Sequence, residues 1–230
     1  MARFPFESAA TAGSRKWLQV LINDRREILD RKIVEASGGK IRGEIEWRSP
    51  RRSDAWAEYR DQAFLDLLEI RLTKRSLADF WPAGGPRWDA LGCAKKNVIL
   101  VEAKAQLGET DADCQAGPGS LARIRETLSE VQTHYGVKPA RDWTRTYYEH
   151  ANRIAHLYLL RELNRIPTWL VFVHFVGDEQ MGGPKTERGW NPERTKIQRA
   201  LGWKGPIPGV LDVHVDAREL MAAGSGATPS

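Results

Sequence analysis

Two apolar segments limit most strongly what this chain can fold into. Residues 168–176 form the run Thr-Trp-Leu-Val-Phe-Val-His-Phe-Val, and residues 98–101 form the run Val-Ile-Leu-Val. Both are rich in β-branched and aromatic residues, and neither approaches the roughly 20 apolar residues that would span a bilayer. They therefore predict buried strands in the central sheet of an α/β domain, and no association with a membrane.

Helical periodicity and turn residues predict the other elements around these runs. We expect, in order, a helix from Ser14 to about residue 36, a strand at 40–48, a helix from 53 or 54 to about 72, strands at 76–81, 87–93 and 97–106, a helix from 120, a helix at 143–163, and strands at 168–176 and 210–215. The first helix is expected to pack outside the core. From residue 53 to residue 176 the predicted order is helix, three strands, helices, strand.

A chain of 230 residues can bury one good core, so we expect one globular domain. Within it we distinguish an N-terminal helical extension (1–52), a core (53–176), a C-terminal loop and strand packed on that core (177–220) and a disordered tail (221–230). Cys93 and Cys114 have no disulfide-framework or zinc-ligand spacing. With no signal-peptide pattern, the expectation is a soluble cytoplasmic protein with reduced thiols.

The residues that can carry chemistry lie at the polar end of the run 98–101. The run continues into Glu102-Ala103-Lys104, and residues two apart share one face of a strand, so Glu102 and Lys104 project together. Gln106 continues that face. Asp89 lies thirteen positions before Glu102, after a Pro/Gly-rich turn. We therefore expect a functional site at the polar end of this strand.

An acid two residues before a lysine is weak evidence by itself, and the chain contains its own control. Asp30-Arg31-Lys32 has the same spacing but lies in a charge-rich helical stretch, where residues two apart do not share a face. That copy predicts only a solvated helix surface. The copy at Glu102 is distinguished by the apolar strand that it follows.

Pro86-Arg87-Trp88-Asp89, followed by Glu102-Ala103-Lys104 on the next apolar strand, resembles the PD-(D/E)XK nuclease superfamily, the restriction-endonuclease-like fold. The resemblance covers roughly residues 53–176, and it departs from the pattern because Arg87 and Trp88 separate the proline from the aspartate. It implies an α/β fold with an αβββαβ core, a central mixed sheet flanked by helices, here preceded by an N-terminal helix. The implied activity is metal-dependent hydrolysis of phosphodiester bonds in nucleic acid.

The chemistry of these residues agrees with that activity. Mg²⁺ takes oxygen ligands at about 2.0–2.1 Å and keeps several waters, so a few carboxylates and a substrate phosphate suit it. Asp89 and Glu102 are the predicted ligands of Mg²⁺ or Mn²⁺, and Lys104 is expected to orient or deprotonate the attacking water or to stabilise charge at the phosphate. A simple salt bridge at the strand end is the alternative. The resemblance adds an acid on the preceding helix, for which Glu58 fits best and Glu69 next.

Substrate contacts are predicted at Gln106 and at the basic residues Arg51 and Arg52. Lys and Arg exceed Asp and Glu by 35 to 30, a formal charge of +5, which favours a polyanionic partner. Nucleic acid, DNA before RNA, is the expected partner, and the sequence is compatible with a homodimer. A basic loop can equally serve solubility, and Gln106 can simply end a strand.

The sequence lacks the motifs that are typical of several other enzyme classes. The five histidines show no zinc-ligand spacing, and the chain has neither a Walker-type phosphate loop nor a Gly-x-Ser-x-Gly elbow. Two alternative functions are compatible with the sequence. One is a nuclease-like protein that has lost turnover and binds nucleic acid or a protein partner. The other is a carboxylate-pair hydrolase such as a glycosidase, against which the lysine beside Glu102 and the basic charge argue.

Overall fold

A computed structural model describes residues 2–137 and 141–222 of the chain. Its strands are β1 (Arg3–Phe4), β2 (Glu46–Ser49), β3 (Glu58–Tyr59), β4 (Ala90–Ala94), β5 (Asn97–Lys104), β6 (Thr168–Val176) and β7 (Val210–Asp216). Its α-helices are α1 (Gly13–Asp24), α2 (Arg26–Ala36), α3 (Gln62–Leu67), α4 (Leu77–Phe80), α5 (Pro118–His134), α6 (Tyr148–Tyr158), α7 (Asn191–Leu201) and α8 (Ala217–Ala222). A π-helical turn, Leu159–Leu163, continues α6. None of the helices so described has the length and apolar character needed to cross a membrane.

The central element is a five-stranded mixed sheet in the order β2-β4-β5-β6-β7. β2, β4 and β5 are antiparallel neighbours. β4 and β5 form a hairpin, because only Lys95 and Lys96 lie between Ala94 and Asn97, the last pair of their ladder. β5, β6 and β7 are parallel. Parallel neighbours need a long crossover, which α5 and α6 supply between β5 and β6. β1 and β3 form a separate two-stranded ribbon.

Helices cover both faces of the sheet, so its central strands are buried on both sides. Along β5, Val98 and Leu100 join one hydrophobic core, which includes buried residues of α5 and α6. Ile99 and Val101 join the other core, to which α1, α2 and α8 contribute. The alternation fixes the face on which Glu102 lies, since it continues the series of Val98 and Leu100.

The coarse class and the two apolar strands are confirmed. The protein is α/β, with a mixed central sheet flanked by helices, and the strand predicted at 168–176 has the same limits in the structure. The strands expected at 97–106 and 210–215 are also present, as β5 and β7. These runs are rich in β-branched and aromatic residues, and a central strand buries such a run because both of its faces are covered.

Two elements between residues 53 and 81 were predicted wrongly. The helix at 53–72 is replaced by a 3₁₀ turn, the short strand β3 and the six-residue α3, because the backbone of β3 pairs with β1 instead of continuing a helix. The strand at 76–81 is the short helix α4, whose N-terminus is capped by Ser76, the hydroxyl of which accepts from the Asp79 amide at 3.0 Å.

The boundaries of three other elements also differ. The first helix is divided at Arg25, whose non-helical φ of −143° and ψ of 37° separate α1 from α2. The strand expected at 40–48 is reduced to β2, and the helix expected from 143 begins at Tyr148.

The sheet crosses the boundary proposed at residue 52. β2, which belongs to the segment expected to be a helical extension, forms the edge strand next to β4. α1 and α2 pack on one face of the same sheet, so the N-terminal segment is part of the core. The tail proposed at 221–230 begins inside α8, and from residue 223 onwards it lies outside the described residues.

Candidate active site

An open cleft of about 850 Å³ lies at the carboxyl end of β5. Its lining includes Glu58, Asp89, Glu102 and Lys104, the four residues to which the sequence assigned catalytic roles. The structure therefore brings together side chains that come from three separate parts of the chain.

Backbone pairing delivers these side chains to the cleft. Glu102 and Lys104 project from the same face of β5, as strand alternation predicts. Asp89 immediately precedes β4, and its Oδ2 accepts from the Ala103 amide at 2.8 Å, which holds the aspartate against the end of β5. The preceding Pro/Gly turn is fixed by Asp61, which accepts from the Gly85 amide at 2.8 Å.

Glu58 lines the cleft, but it lies on an element that the sequence did not predict. It lies in β3 rather than on a helix, and the neighbouring Tyr59 carbonyl accepts from the Trp88 amide at 3.0 Å. Its side chain is buried instead of solvated, and Arg87 Nε donates to its Oε2 at 2.5 Å. Burial raises the pKa of Glu58 even though Arg87 acts in the opposite direction. Glu69, the other candidate, is exposed and does not line the cleft.

Glu102 is the centre of a buried ion-pair network. Its Oε1 lies 2.6 Å from Lys104 Nζ, and its Oε2 lies 2.6 Å from Arg153 on α6. Lys104 Nζ also donates to Glu149 Oε2 at 2.6 Å. Burial alone would raise the pKa of Glu102, but the charges of Arg153 and Lys104 outweigh it and lower that pKa to about 2. Glu102 is therefore ionised, and the two acids likewise hold the pKa of Lys104 above its usual value.

Asp89 is shifted in the opposite direction. Burial, and then the negative charge of Glu102, raise its pKa well above the ordinary value of 3.8, and they outweigh Lys104 and the Ala103 amide. Two neighbouring carboxyl groups with pKa values displaced in opposite directions are a pattern found at functional sites.

Sequence reasoning missed Glu149 and Arg153, two residues that α6 contributes to the cleft. Glu149 and Arg153 are four residues apart, a spacing that on a helix normally indicates a solvated ion pair. Both line the cleft, and Arg153 is buried, with its guanidinium 5.0 Å from the Trp88 ring centroid. Asn152 also lines the cleft, and its buried Oδ1 has no hydrogen-bond partner among the described residues. Only the packing of α6 over the sheet distinguishes these side chains from surface groups.

The predicted substrate contacts do not converge on this cleft. Gln106 lies two residues beyond β5, half-buried, and is not part of the lining. Arg51 and Arg52 are exposed elsewhere, where Arg52 pairs with Asp24 at 2.9 Å and Arg51 lines a smaller groove. Their assignment as substrate-binding residues stays a prediction.

The cleft is acidic although the protein is basic. Six carboxylates and three cationic side chains line it, which gives it a formal charge of −3 in a chain of charge +5. The described residues contain no group of three His, Cys, Asp or Glu side chains arranged as metal ligands. The oxygen donors and the excess negative charge fit a hard divalent cation that takes few protein ligands and keeps much of its water.

The raised pKa of Asp89 predicts how stability changes with pH. A carboxyl group whose pKa is higher in the folded than in the unfolded chain costs stability when ionised, and that cost disappears as the pH falls through its folded-state pKa. Asp89→Asn, which keeps an acceptor for the Ala103 amide, is therefore expected to raise the free energy of unfolding at neutral pH. The gain should shrink as the pH falls towards 3.8.

Urea unfolding in EDTA across this pH range measures the effect. Asp113→Asn is the matched control, since Asp113 is a partly exposed acid in the same cleft and should change stability little. If Asp89→Asn were less stable than wild type at neutral pH, the ionised Asp89 carboxylate would instead stabilise the folded protein, which would contradict this prediction.

A scan against protein-family models found no match, and searches of curated proteins and of solved structures found none either. Function is therefore inferred from the residues and geometry of the cleft.

Proposed function

We propose that this protein is a metal-dependent nuclease of the PD-(D/E)XK kind that hydrolyses phosphodiester bonds in nucleic acid, in the first instance DNA. The observation that carries the proposal is the convergence of Asp89, Glu102 and Lys104, with Glu58, on one acidic cleft at the end of β5. Two carboxylates and an ammonium group at one strand end are the functional groups that this chemistry needs.

The order of elements supports the same proposal. In the central sheet, the antiparallel strands β2, β4 and β5 follow α1 and α2, with β3, α3 and α4 between β2 and β4, and α5, α6 and the parallel strand β6 come after them. With those intervening elements left out, this order is compatible with the αβββαβ core that the resemblance implies, and β2 takes the place of the strand predicted at 76–81. Asp89 immediately precedes the second of the three strands, and Glu102 lies on the third.

Asp89 and Glu102 would hold the cation, Mg²⁺ or Mn²⁺. Each oxygen of Glu102 already accepts from a cationic side chain, but a carboxylate oxygen has a second lone pair for a further ligand. Asp89 Oδ2 is fixed by the Ala103 amide at 2.8 Å, which orients the carboxylate. When bound, such a cation supplies Lewis-acid stabilisation of phosphoryl charge and activation of an attacking water.

Lys104 acts as a positive charge rather than as a base. Its ammonium group lies 2.6 Å from both Glu102 and Glu149, and these acids keep its pKa above the usual value. A lysine that stays protonated at neutral pH cannot accept the proton of the water. It can orient that water and offset the negative charge that develops at the phosphate.

The acidity of the cleft explains why a cation is required. A phosphate would be repelled by a lining of charge −3, whereas bound divalent cations reverse that balance locally. The basic remainder of the surface favours approach of a polyanion from a distance.

The test is an assay of plasmid, linear duplex DNA, single-stranded DNA and RNA in Mg²⁺ or Mn²⁺, with EDTA as the metal-free arm. Cleavage is expected with metal only, and Lys104→Ala is expected to lose it. Equal nicking by wild type and Lys104→Ala would trace the activity to a contaminant and contradict the assignment of the site. Cleavage that survives EDTA would contradict the metal dependence that the proposal assigns to this site.

One observation favours a second candidate, a nuclease-like protein that binds nucleic acid or a partner protein without turnover. Both oxygens of Glu102 are engaged by Lys104 and Arg153, so the ion-pair network is complete without a metal. Salt-sensitive DNA binding with no cleavage under either metal would support this candidate over the first.

A further inference from the structure

A second cavity, of about 310 Å³, lies on the other side of the residues that α6 gives to the cleft. Glu149 and Arg153 of α6 line the acidic cleft, whereas His150 and Ile154 of the same helix line this cavity. β6, β7, α7 and the segment after α7 complete its walls. A volume of this size lies in the range of small-molecule sites.

Aromatic rings make up much of the lining. His150 is stacked on Phe172, with ring centroids 4.6 Å apart and an interplanar angle of 18°. Trp203 also lines the cavity, and its ring meets Trp143 edge-on at 6.1 Å. Ile197 and Ile207 add aliphatic surface. A planar ring is the ligand shape that stacks on such side chains.

Two imidazole nitrogens of the cavity lining have unused hydrogen-bonding capacity. His174 Nε2 lies 3.0 Å from Asp212 Oδ1, and Arg194 pairs with Asp212 Oδ2 at 3.0 Å. Nδ1 of His174 and Nδ1 of His150 are buried and have no hydrogen-bond partner in the described part of the chain. A purely apolar ligand would leave both unpaired, which is unfavourable.

Charge in the cavity is balanced. Asp212 and Arg194 are its charged lining residues, and they pair with each other. An ionised ligand would therefore find no free counter-charge to offset its desolvation, which favours an uncharged ligand.

We propose that this cavity binds a nucleobase, free or as a nucleoside: an uncharged planar heterocycle whose hydrogen-bonding edge meets the imidazole rings of His150 and His174 while its face stacks on the aromatic lining. This binding is separate from the metal-dependent chemistry of the cleft and does not rest on it.

Isothermal titration of the full chain with adenosine, guanosine, cytidine and uridine tests the proposal, with ribose 5-phosphate as a control that lacks the heterocyclic base. At least one nucleoside is expected to bind saturably, and ribose 5-phosphate is not. No binding by any of the four nucleosides up to their solubility limit would overturn the proposal, as would equal binding of ribose 5-phosphate.

Substitutions locate the binding. Gly205 lines the cavity, its φ is not left-handed, and a Cβ there would meet no atom within 4 Å, so Gly205→Phe can block the cavity without disturbing the core. Gly119→Phe is the matched control, because Gly119 has equally open surroundings but does not line the cavity. We expect the Kd for the nucleoside to be at least about tenfold higher in Gly205→Phe and in His174→Phe than in wild type.

Gly119→Phe and Asp113→Asn are expected to bind the nucleoside as wild type does. Unchanged affinity in Gly205→Phe would place the nucleoside elsewhere and overturn the assignment. Loss of binding in Asp113→Asn would do the same, since Asp113 lines the acidic cleft and not this cavity.

Discussion

Glu102→Gln is expected to lower the free energy of unfolding by about 3–5 kcal/mol, the cost typical of removing one partner from a buried ion pair. Glu102 is 3% exposed, and it neutralises both Lys104 and Arg153, whose side chains are also buried. Glutamine can accept from one of them through its oxygen, but its amide nitrogen would face the other cation. The substitution therefore leaves a buried positive charge without compensation.

Urea or thermal unfolding at neutral pH measures this loss. Glu149→Gln is the matched control, because Glu149 pairs with the same lysine but its side chain is 36% exposed. Solvent screens that pair, and we expect a change within about 1 kcal/mol. Equal stability of the two variants would mean that the network around Glu102 is not effectively buried.

Asp89→Asn is expected to reduce metal-dependent cleavage by about 10²–10³-fold, the loss typical when one group that acts on transition-state charge is removed. Asparagine preserves the shape and the acceptor for the Ala103 amide but removes the negative charge that would hold a cation. The same substitution should not lower stability, since the pKa of Asp89 is raised in the folded protein. Activity and stability are thus expected to move in opposite directions.

Initial rates of plasmid cleavage in Mg²⁺, compared with unfolding curves of the same preparations, measure both effects. Asp113→Asn should keep its cleavage rate, because Asp113 is a partly exposed acid paired with Arg145 at 3.1 Å. Cleavage by Asp89→Asn at the wild-type rate would contradict the proposed pair of metal-binding carboxylates.

Residues that contact the substrate were harder to predict from the sequence than the acidic residues of the cleft. Arg51 and Arg52 follow a basic pattern, but charge density in a sequence carries no information about which face of the molecule a residue occupies. Nothing in the sequence distinguishes Arg153 from a surface cation, but the packing of α6 buries it against Glu102.

Glu58 shows the same limit for local structure. Its segment has helical character in sequence, but pairing of β3 with β1 gives it an extended backbone. A two-residue strand depends on a partner more than fifty residues away, and no local pattern records that partner. Tertiary hydrogen bonding here outweighs intrinsic helix propensity, which contributes only fractions of a kcal/mol per residue.

The sequence by itself determined the buried strands β5 and β6 and the polar end of β5. An apolar run of that length is stable when it is covered on both faces, and strand alternation then sets the side of the sheet on which Glu102 and Lys104 lie. Only the tertiary structure decided which acid from the preceding segment joins them, and which cations neutralise Glu102. Those choices depend on contacts between distant segments, whose free energies come from burial and from the exclusion of water rather than from neighbours in the chain.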